Sequence, residues 1–251
     1  MFGKFKMISI GELYERTYNF ICGTSPKCSL WHFQWHFMKD THTWQKSKMS
    51  LFEGDILDVG CGNKPYQFWV DPHKVDHYLG LDVVACEGVD IVVTSNEMWG
   101  VVDNRFDGVL MTQSLEHLEH VEHTLKEVKR VLKPSGYLLI TVPFLYPEHG
   151  APYDFRRFTT FGLKNLLEQD YEILDLTKCG RFGSVFATML LTFIENNMNV
   201  NFITRLLKGV LFPIWILFGF SINIFCEVLN WLDISNAHYC NVCLFARKKS
   251  N

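Results

Sequence analysis

Residues 55–65 read DILDVGCGNKP. An apolar β-run (Ile56, Leu57, Val59) carries one acid, Asp58, and ends in a Gly-Cys-Gly turn at 60–62. Glycine in such a turn accepts positive φ and lets a ligand approach the backbone where a Cβ would otherwise stand. Asn63 suits the cap of a following helix and Pro65 its first turn. Strand, glycine turn and helix N-terminus together predict a cradle for a nucleotide cofactor. The dinucleotide pattern G-x-G-x-x-G fails here, because its third glycine would fall on Pro65. D-x-G-x-G fits, on Asp58, Gly60 and Gly62.

Working outward, HYLGLDV predicts a second strand ending in Asp82 about twenty residues after the turn, where an acid accepts the hydroxyls of an adenosine ribose. VDIVVTSNEMW (89–99) reads as a short strand and loop. Residues 106–144 read as strand, loop, amphipathic helix, Pro-Ser-Gly turn and strand. Thr159 or Thr160 caps a helix over FGLKNLLEQ, and YEILDLTKC and HYCNVCLFARK (238–248) read as the remaining strands. Strand alternating with helix over 55–180 predicts a mostly parallel sheet with helices on both faces.

Several strings together carry a resemblance: DVGCGNKPY, FDGVLMTQSLEH, EVKRVLKPSG and PEHGAPYDFRRFT (147–159). They are similar to the class I S-adenosylmethionine-dependent methyltransferases, and within them to a type 11-like subgroup associated with bacterial glycans and surface polysaccharides. The chain departs from the fuller glycine motif at Lys64, and from the subgroup's acid at Thr94. The resemblance implies an α/β fold: a doubly wound, Rossmann-like seven-stranded sheet, mostly parallel with an antiparallel last strand. It implies S-adenosyl-L-methionine as cofactor, held by Asp58, Gly60, Cys61, Gly62, Asp82, Val83, Thr94, Ser95, Gln113, Ser114 and His117. Asn96, Met98 and Trp99 are expected to supply an amide and an apolar wall for the adenine, and Glu116 with His117 to organise the loop under the methionine end. Gln113 and Ser114 are expected to face the methyl-transfer region.

If the acceptor is a hydroxyl, a base must take its proton. His149 and Asp154 are the candidates, since they follow the strand at 136–143 and sites in open α/β sheets lie beyond the carboxyl ends of strands. Tyr153, Arg156 and Arg157 are candidate substrate contacts, an arginine suiting a uronate or phosphate. The competing reading of PEHGAPYDFRRFT is an ordered loop whose Asp and Arg pair with each other. EHLEHVEH (116–123) offers acids and histidines, but a period of three spreads them around a helix, so no metal site is expected. His32 and His36 read as part of an aromatic helix that packs on the domain rather than as ligands.

The predicted organisation is an N-terminal helical cap (1–50), a cofactor-binding domain (51–181 and 236–251) and an apolar helical insertion (182–235). Residues 209–226, GVLFPIWILFGFSINIFC, hold eighteen residues without a charge. A single crossing is disfavoured, because the return strand and the basic end Arg247, Lys248, Lys249 belong on the sheet's side. Two readings stay open for 182–232: a segment lying in a membrane surface, or a lid burying its apolar face on the domain. A net charge of −3 gives no footprint for nucleic acid. Eight scattered cysteines and no signal-peptide pattern predict reduced thiols in the cytoplasm, with the inner membrane face as the peripheral site. The expected acceptor is a sugar hydroxyl of a glycan or lipid-linked glycan. The alternatives are a lipophilic quinone or phenol, or a non-catalytic cofactor-binding partner protein. An NAD-dependent oxidoreductase loses on the missing glycine and on the lack of a Tyr-x-x-x-Lys set.

Overall fold

A computed structural model describes residues 10–250. Seven strands form one sheet: β1 (Gly54–Val59), β2 (Val75–Asp82), β3 (Ile91–Val92), β4 (Phe106–Thr112), β5 (Leu132–Pro143), β6 (Tyr171–Cys179) and β7 (Asn241–Lys248). Their order is β3-β2-β1-β4-β5-β7-β6. The pairs β2–β3, β1–β2, β1–β4 and β4–β5 are parallel, and β7 runs antiparallel to both β5 and β6. This is the doubly wound, mostly parallel sheet with an antiparallel last strand that the sequence predicts.

Alternate side chains of each strand point to opposite faces. Leu57, Val109, Leu138 and Leu244 enter one core, covered by Val121, Leu125 and Val128 of α3 (Val121–Val131) and Leu163 and Leu167 of α4 (Thr160–Leu167). Thr159 caps α4 by accepting a hydrogen bond from Gly162 N at 3.0 Å. Ile56, Leu110, Leu139 and Phe245 enter the other core, with Met49 of α2 (Trp35–Met49) and Phe52 just beyond it. Gly108 makes room for Phe52, since a Cβ there would lie 2.1 Å from Phe52 Cδ1. Burying a side chain such as Phe52 or Met49 contributes about 1.5–3 kcal/mol each.

One expectation is corrected. No α-helix follows the glycine turn; residues 67–69 make a single 3-10 turn. Lys64 sits at φ +52 and Pro72 follows closely, so the segment cannot extend as a helix. Tyr66 and Trp69 instead pack with His42 of α2, and α2 covers the face that the missing helix would have covered.

Between β6 and β7 stand α5 (Phe182–Asn197), α6 (Phe202–Val210) and α7 (Phe212–Leu232). Because β6 and β7 pair directly, both ends of this segment return to one sheet. Trp215 and Ile216 of α7 pack with Leu191 of α5 and with Tyr18 and Cys22 of α1 (Ile10–Cys22). Asn223 donates to Leu30 O at 2.7 Å and His32 O at 3.1 Å, and Asn230 accepts from Ser184 N at 2.8 Å. His36 is buried, with Nε2 3.0 Å from Asn223 O and Nδ1 3.2 Å from Ser184 Oγ. Burial pushes His32 down to about 4, and it is a packed neutral histidine. Pro213 falls in the first turn of α7, where a missing N–H costs nothing.

The α5–α7 crossing has no spare room at Gly183, where a Cβ would lie 2.0 Å from the carbonyl oxygen of Cys226. Gly183→Ala is expected to destabilise the protein by about 2–3 kcal/mol through overpacking against backbone. Gly209→Ala, where a Cβ meets nothing within 4 Å, should be neutral or gain up to about 1 kcal/mol from helix propensity. Urea unfolding of the two variants checks the contrast; equal midpoints would refute the crossing.

Candidate functional site

The glycine turn closes the carboxyl end of β1. Gly60 has φ +73 and Gly62 φ +48, a region where side chains are costly. A Cβ on Gly60 would lie 2.5 Å from Ser114 Cβ, whereas a Cβ on Gly62 would meet nothing within 4 Å. Gly60 therefore serves contact with the loop after β4, and Gly62 leaves open space above the turn. Lys64 holds the left-handed conformation (φ +52) at the position where the fuller motif has glycine. Its ammonium pairs with Asp90 and donates to Tyr78 O at 3.1 Å.

Asp82 ends β2 beside that space. Its carboxylate accepts from Gly62 N (3.1 Å), Val83 N (2.7 Å) and Val84 N (3.2 Å), tying the glycine turn to the end of β2. Asp58 is buried below; it accepts from Tyr78 OH at 2.7 Å, and its other oxygen has no partner. Burial pushes its carboxyl up to about 7. Cys61 is buried too, its thiol pushed by burial up to about 12, which leaves it unreactive. Thr94 and Ser95 stand exposed after β3, at the same end of the sheet, with Met98 exposed beyond them. Trp99 is buried in the core and donates its backbone N–H to Glu127, so it forms no wall for a ligand.

Gln113 and Ser114 differ from expectation. Gln113 has φ +51, and its side-chain amide donates to Thr141 Oγ1 and Asn241 Oδ1, each at 3.2 Å. Ser114 is buried and donates to Val59 O at 3.1 Å. Both side chains lock the loop after β4 onto β1, β5 and β7 instead of facing a reaction site. The left-handed turn at Gln113 is the physical cause, since it redirects the chain at the strand's end.

Directly after Ser114 come Leu115, Glu116 and His117 in a 3-10 turn. Glu116 is 0% exposed, and neither carboxylate oxygen has a hydrogen-bond partner. Burial pushes its carboxyl up to about 8. Two histidines face it: His117 Nε2 lies 3.7 Å and His149 Nε2 3.9 Å from Glu116 Oε1. His117 Nδ1 donates to Tyr153 O at 2.7 Å. His149 Nδ1 lies 3.3 Å from both Pro147 O and Asp154 Oδ2 and 3.5 Å from a guanidinium nitrogen of Arg157; the two nearer acceptors outweigh the one longer donor contact and place the ring proton on Nδ1, which leaves Nε2 as a lone pair. Burial also lowers the His149 pKa, so the ring is neutral at pH 7. The sequence reading gave Glu116 only an organising role. An acid between Leu115 and Leu118, both apolar, was the signal available.

Three further candidates are corrected. Asp154 faces Arg157, which binds it through both guanidinium nitrogens, one at 2.7 Å, and Asp154 also accepts from His149 N at 2.9 Å. The guanidinium holds its carboxyl well below the usual carboxylate range, so it is no proton acceptor near neutral pH. Arg157 is spent on this pair and on Pro147 O, and Arg156 donates to Leu118 O and Glu119 O. The two arginines thus staple the 145–158 segment to the loop after β4. Tyr153 remains exposed at the rim. The N-terminal segment also reaches the site, where Gln34 donates to Tyr146 OH at 2.7 Å and Phe37 of α2 packs on the Tyr146 ring.

A sequence model of the methyltransferase domain family matches residues 35–169, more than half of the chain. No curated protein matches significantly. Among solved structures, the [4+2]-cyclase SpnF is similar over 85% of this chain and 82% of its own, at 21% identity and a TM-score of 0.55. An S-adenosylmethionine-dependent methyltransferase from Mesorhizobium loti is similar over 81% of this chain and 96% of its own, at 14% identity and a TM-score of 0.50. Such identities speak for the fold alone.

The Asp154–Arg157 pair sets a pH dependence of stability. A carboxyl held below its ordinary pKa stabilises the fold above that ordinary value, about 3.9, and loses the contribution as pH falls through the acid range. Asp154→Asn should cost about 2–3 kcal/mol at pH 7, because it leaves Arg157 without its charge partner. The gap between wild type and variant should shrink below about pH 4. Thermal unfolding from pH 3 to 8 checks this, and a gap that is constant with pH would refute it.

Proposed function

The chain belongs to the methyltransferase domain family, whose cofactor is S-adenosylmethionine, and from that premise we propose an O-methyltransferase acting on a sugar hydroxyl of a glycan or lipid-linked glycan. The observation that carries the hydroxyl reading is the Glu116–His117–His149 cluster. It stands two residues beyond Ser114, which touches the glycine turn, and so borders the space where the cofactor's reactive end belongs.

The residues present fit the cofactor. Open space over Gly62 lies beside the Asp82 carboxylate, the arrangement that suits an adenosine ribose. When bound, S-adenosylmethionine supplies an electrophilic methyl group on a sulfonium. The chain's own part is positioning, which alone supplies several kcal/mol, and acceptance of the hydroxyl proton. Neutral His149, with Nδ1 committed and Nε2 free, is suited to take that proton. Asp154 acts through His149 as a positioning residue.

The glycan class is supported by the similarity of GCGNKPY and PEHGAPYDFRRFT to glycan-associated members of the family. A lipid-linked acceptor and a peripheral location at a membrane are supported by the surface of α6 and α7. Ile203 (74% exposed), Trp231 (79%), Leu207, Ile214 and Val228 form apolar surface there. Apolar surface of that extent favours lipid or a partner over bare water. Trp215, by contrast, is 5% exposed and packs inward.

Calorimetry should show S-adenosylhomocysteine binding at micromolar levels and NAD not binding. Asp82→Ala should weaken the former by about 1.5–3 kcal/mol, through loss of charge-assisted hydrogen bonds. Equal affinity for both ligands would sink the cofactor assignment. In liposome flotation, wild type should partition partly with vesicles and the double variant Ile203→Ser, Trp231→Ser should not. A wild type that stays wholly soluble would remove the support for a lipid-linked acceptor.

A further inference from the structure

Glu116, His117 and His149 are separated by as many as 33 residues, yet their ligand atoms all lie within 4.8 Å of one another. We propose that these three side chains form a binding site for a divalent transition-metal ion at the acceptor side of the active site. The reading rests on the methyltransferase assignment and revises one part of it: with an ion bound, the ion holds and activates the acceptor hydroxyl in place of His149.

Three independent observations carry it. The first is the carboxylate. Glu116 is fully buried with both oxygens unpartnered, and the two facing ring nitrogens stand at 3.7 and 3.9 Å, too far for hydrogen bonds. A buried polar group with no partner is costly and rare, so something belongs between these atoms. Ligands about 2.1 Å from a tetrahedral ion stand about 3.4 Å apart, so the two carboxylate–imidazole pairs would need to close by about 0.3–0.5 Å and the two imidazoles, no more than 4.8 Å apart, by at most about 1.4 Å. The second is the tautomers. His117 Nδ1 is committed to Tyr153 O, and His149 Nδ1 to Pro147 O and Asp154. Both Nε2 lone pairs are thereby directed at Glu116. A metal-binding histidine is fixed in this way, with its second nitrogen on a carbonyl or carboxylate. The third is rigidity behind the ligands. Asp154 is clamped by Arg157, and Phe155 N donates to Glu116 O at 3.0 Å, so the loop after β5 is sewn to the loop after β4.

Two imidazoles and one carboxylate suit zinc or a neighbouring transition metal and leave coordination positions open. An acceptor hydroxyl in an open position would have its pKa lowered by the ion. The O–H proton would pass to solvent water, and the oxygen would form the O–CH3 bond as the S–CH3 bond breaks. The electron pair would stay on the sulfur of S-adenosylhomocysteine. In that state His149 Nε2 is a ligand and no longer a free base.

The test uses the full-length protein stripped with chelator and titrated with Zn2+ and Co2+ by calorimetry and visible absorption. The expected result is one ion per chain at micromolar affinity or tighter, and a Co2+ spectrum without a thiolate charge-transfer band, which separates this site from the cysteines. His117→Ala, His149→Ala and Glu116→Gln should each abolish stoichiometric binding. Asp154→Asn should weaken it by about 10- to 100-fold, and His120→Ala should leave it unchanged. Thermal unfolding reports folding of each variant, and S-adenosylhomocysteine binding by wild type is independent of the ion. If a ligand variant fails that check, histidine ring 15N shifts of wild type on adding Zn2+ decide instead, and two perturbed Nε2 signals are expected. Absence of stoichiometric binding, unshifted ring signals, or binding indifferent to the three folded variants would overturn the metal site. If wild type binds S-adenosylhomocysteine but no ion, only the metal site falls. If it binds an ion but no S-adenosylhomocysteine, the methyltransferase reading falls.

Discussion

The close approach of Gly60 to Ser114 joins the glycine turn after β1 to the loop after β4. A side chain at residue 60 would collide with Ser114 at 2.5 Å, and Ser114 is in turn held to Val59 O. That contact brings the loop after β4 against the turn after β1. The placement of Glu116 and His117 then follows from chain continuity, since they come next in sequence. The left-handed Gln113, tied by its amide to Thr141 and Asn241, holds the loop from the other side. The cofactor turn and the histidine cluster are thus set relative to each other by backbone contacts and by residues that need touch no ligand.

The second half of the site is brought in by the sheet. β4 and β5 are parallel neighbours, so the segments that follow them emerge side by side at the carboxyl edge. The segment after β5 is long and would be mobile without internal ties. Asp154 and Arg157 supply those ties, along with Arg156 on Leu118 O and Glu119 O. A conspicuous Asp-x-x-Arg pair in a candidate catalytic loop is therefore mainly scaffolding, and it holds His149 in place through the Asp154 carboxylate.

The insertion obeys a different constraint. Since β7 lies between β5 and β6, the apolar segment before it must leave the sheet and return to the same sheet. α7 solves this with two faces. Ile216, Gly219, Asn223, Cys226 and Asn230 turn inward at helical spacing, while Ile214, Val228 and Trp231 remain exposed. The inward asparagines bond α5 and the 30–32 segment, so α7 is docked to the domain along one side and presents its other side outward.

The strands, their alternation and the glycine turn were set by the sequence, because each depends on periodicity or on a steric need spanning a few neighbouring residues. The same is true of the Thr159 cap, whereas the antiparallel end was legible only through the family resemblance. The helix expected from Asn63 and Pro65 did not form, because its place on the sheet is taken by α2, from a segment that precedes β1. Local capping residues could not report that competition. Nor could spacing within EHLEHVEH reveal that His117 has its partner at His149, beyond α3 and β5, rather than at His120 or His123. The sequence offered both readings of Asp154 and Arg157, as site or as staple. Only the tertiary structure chose, because the partners of a charged side chain are fixed by which strand ends the sheet order places side by side.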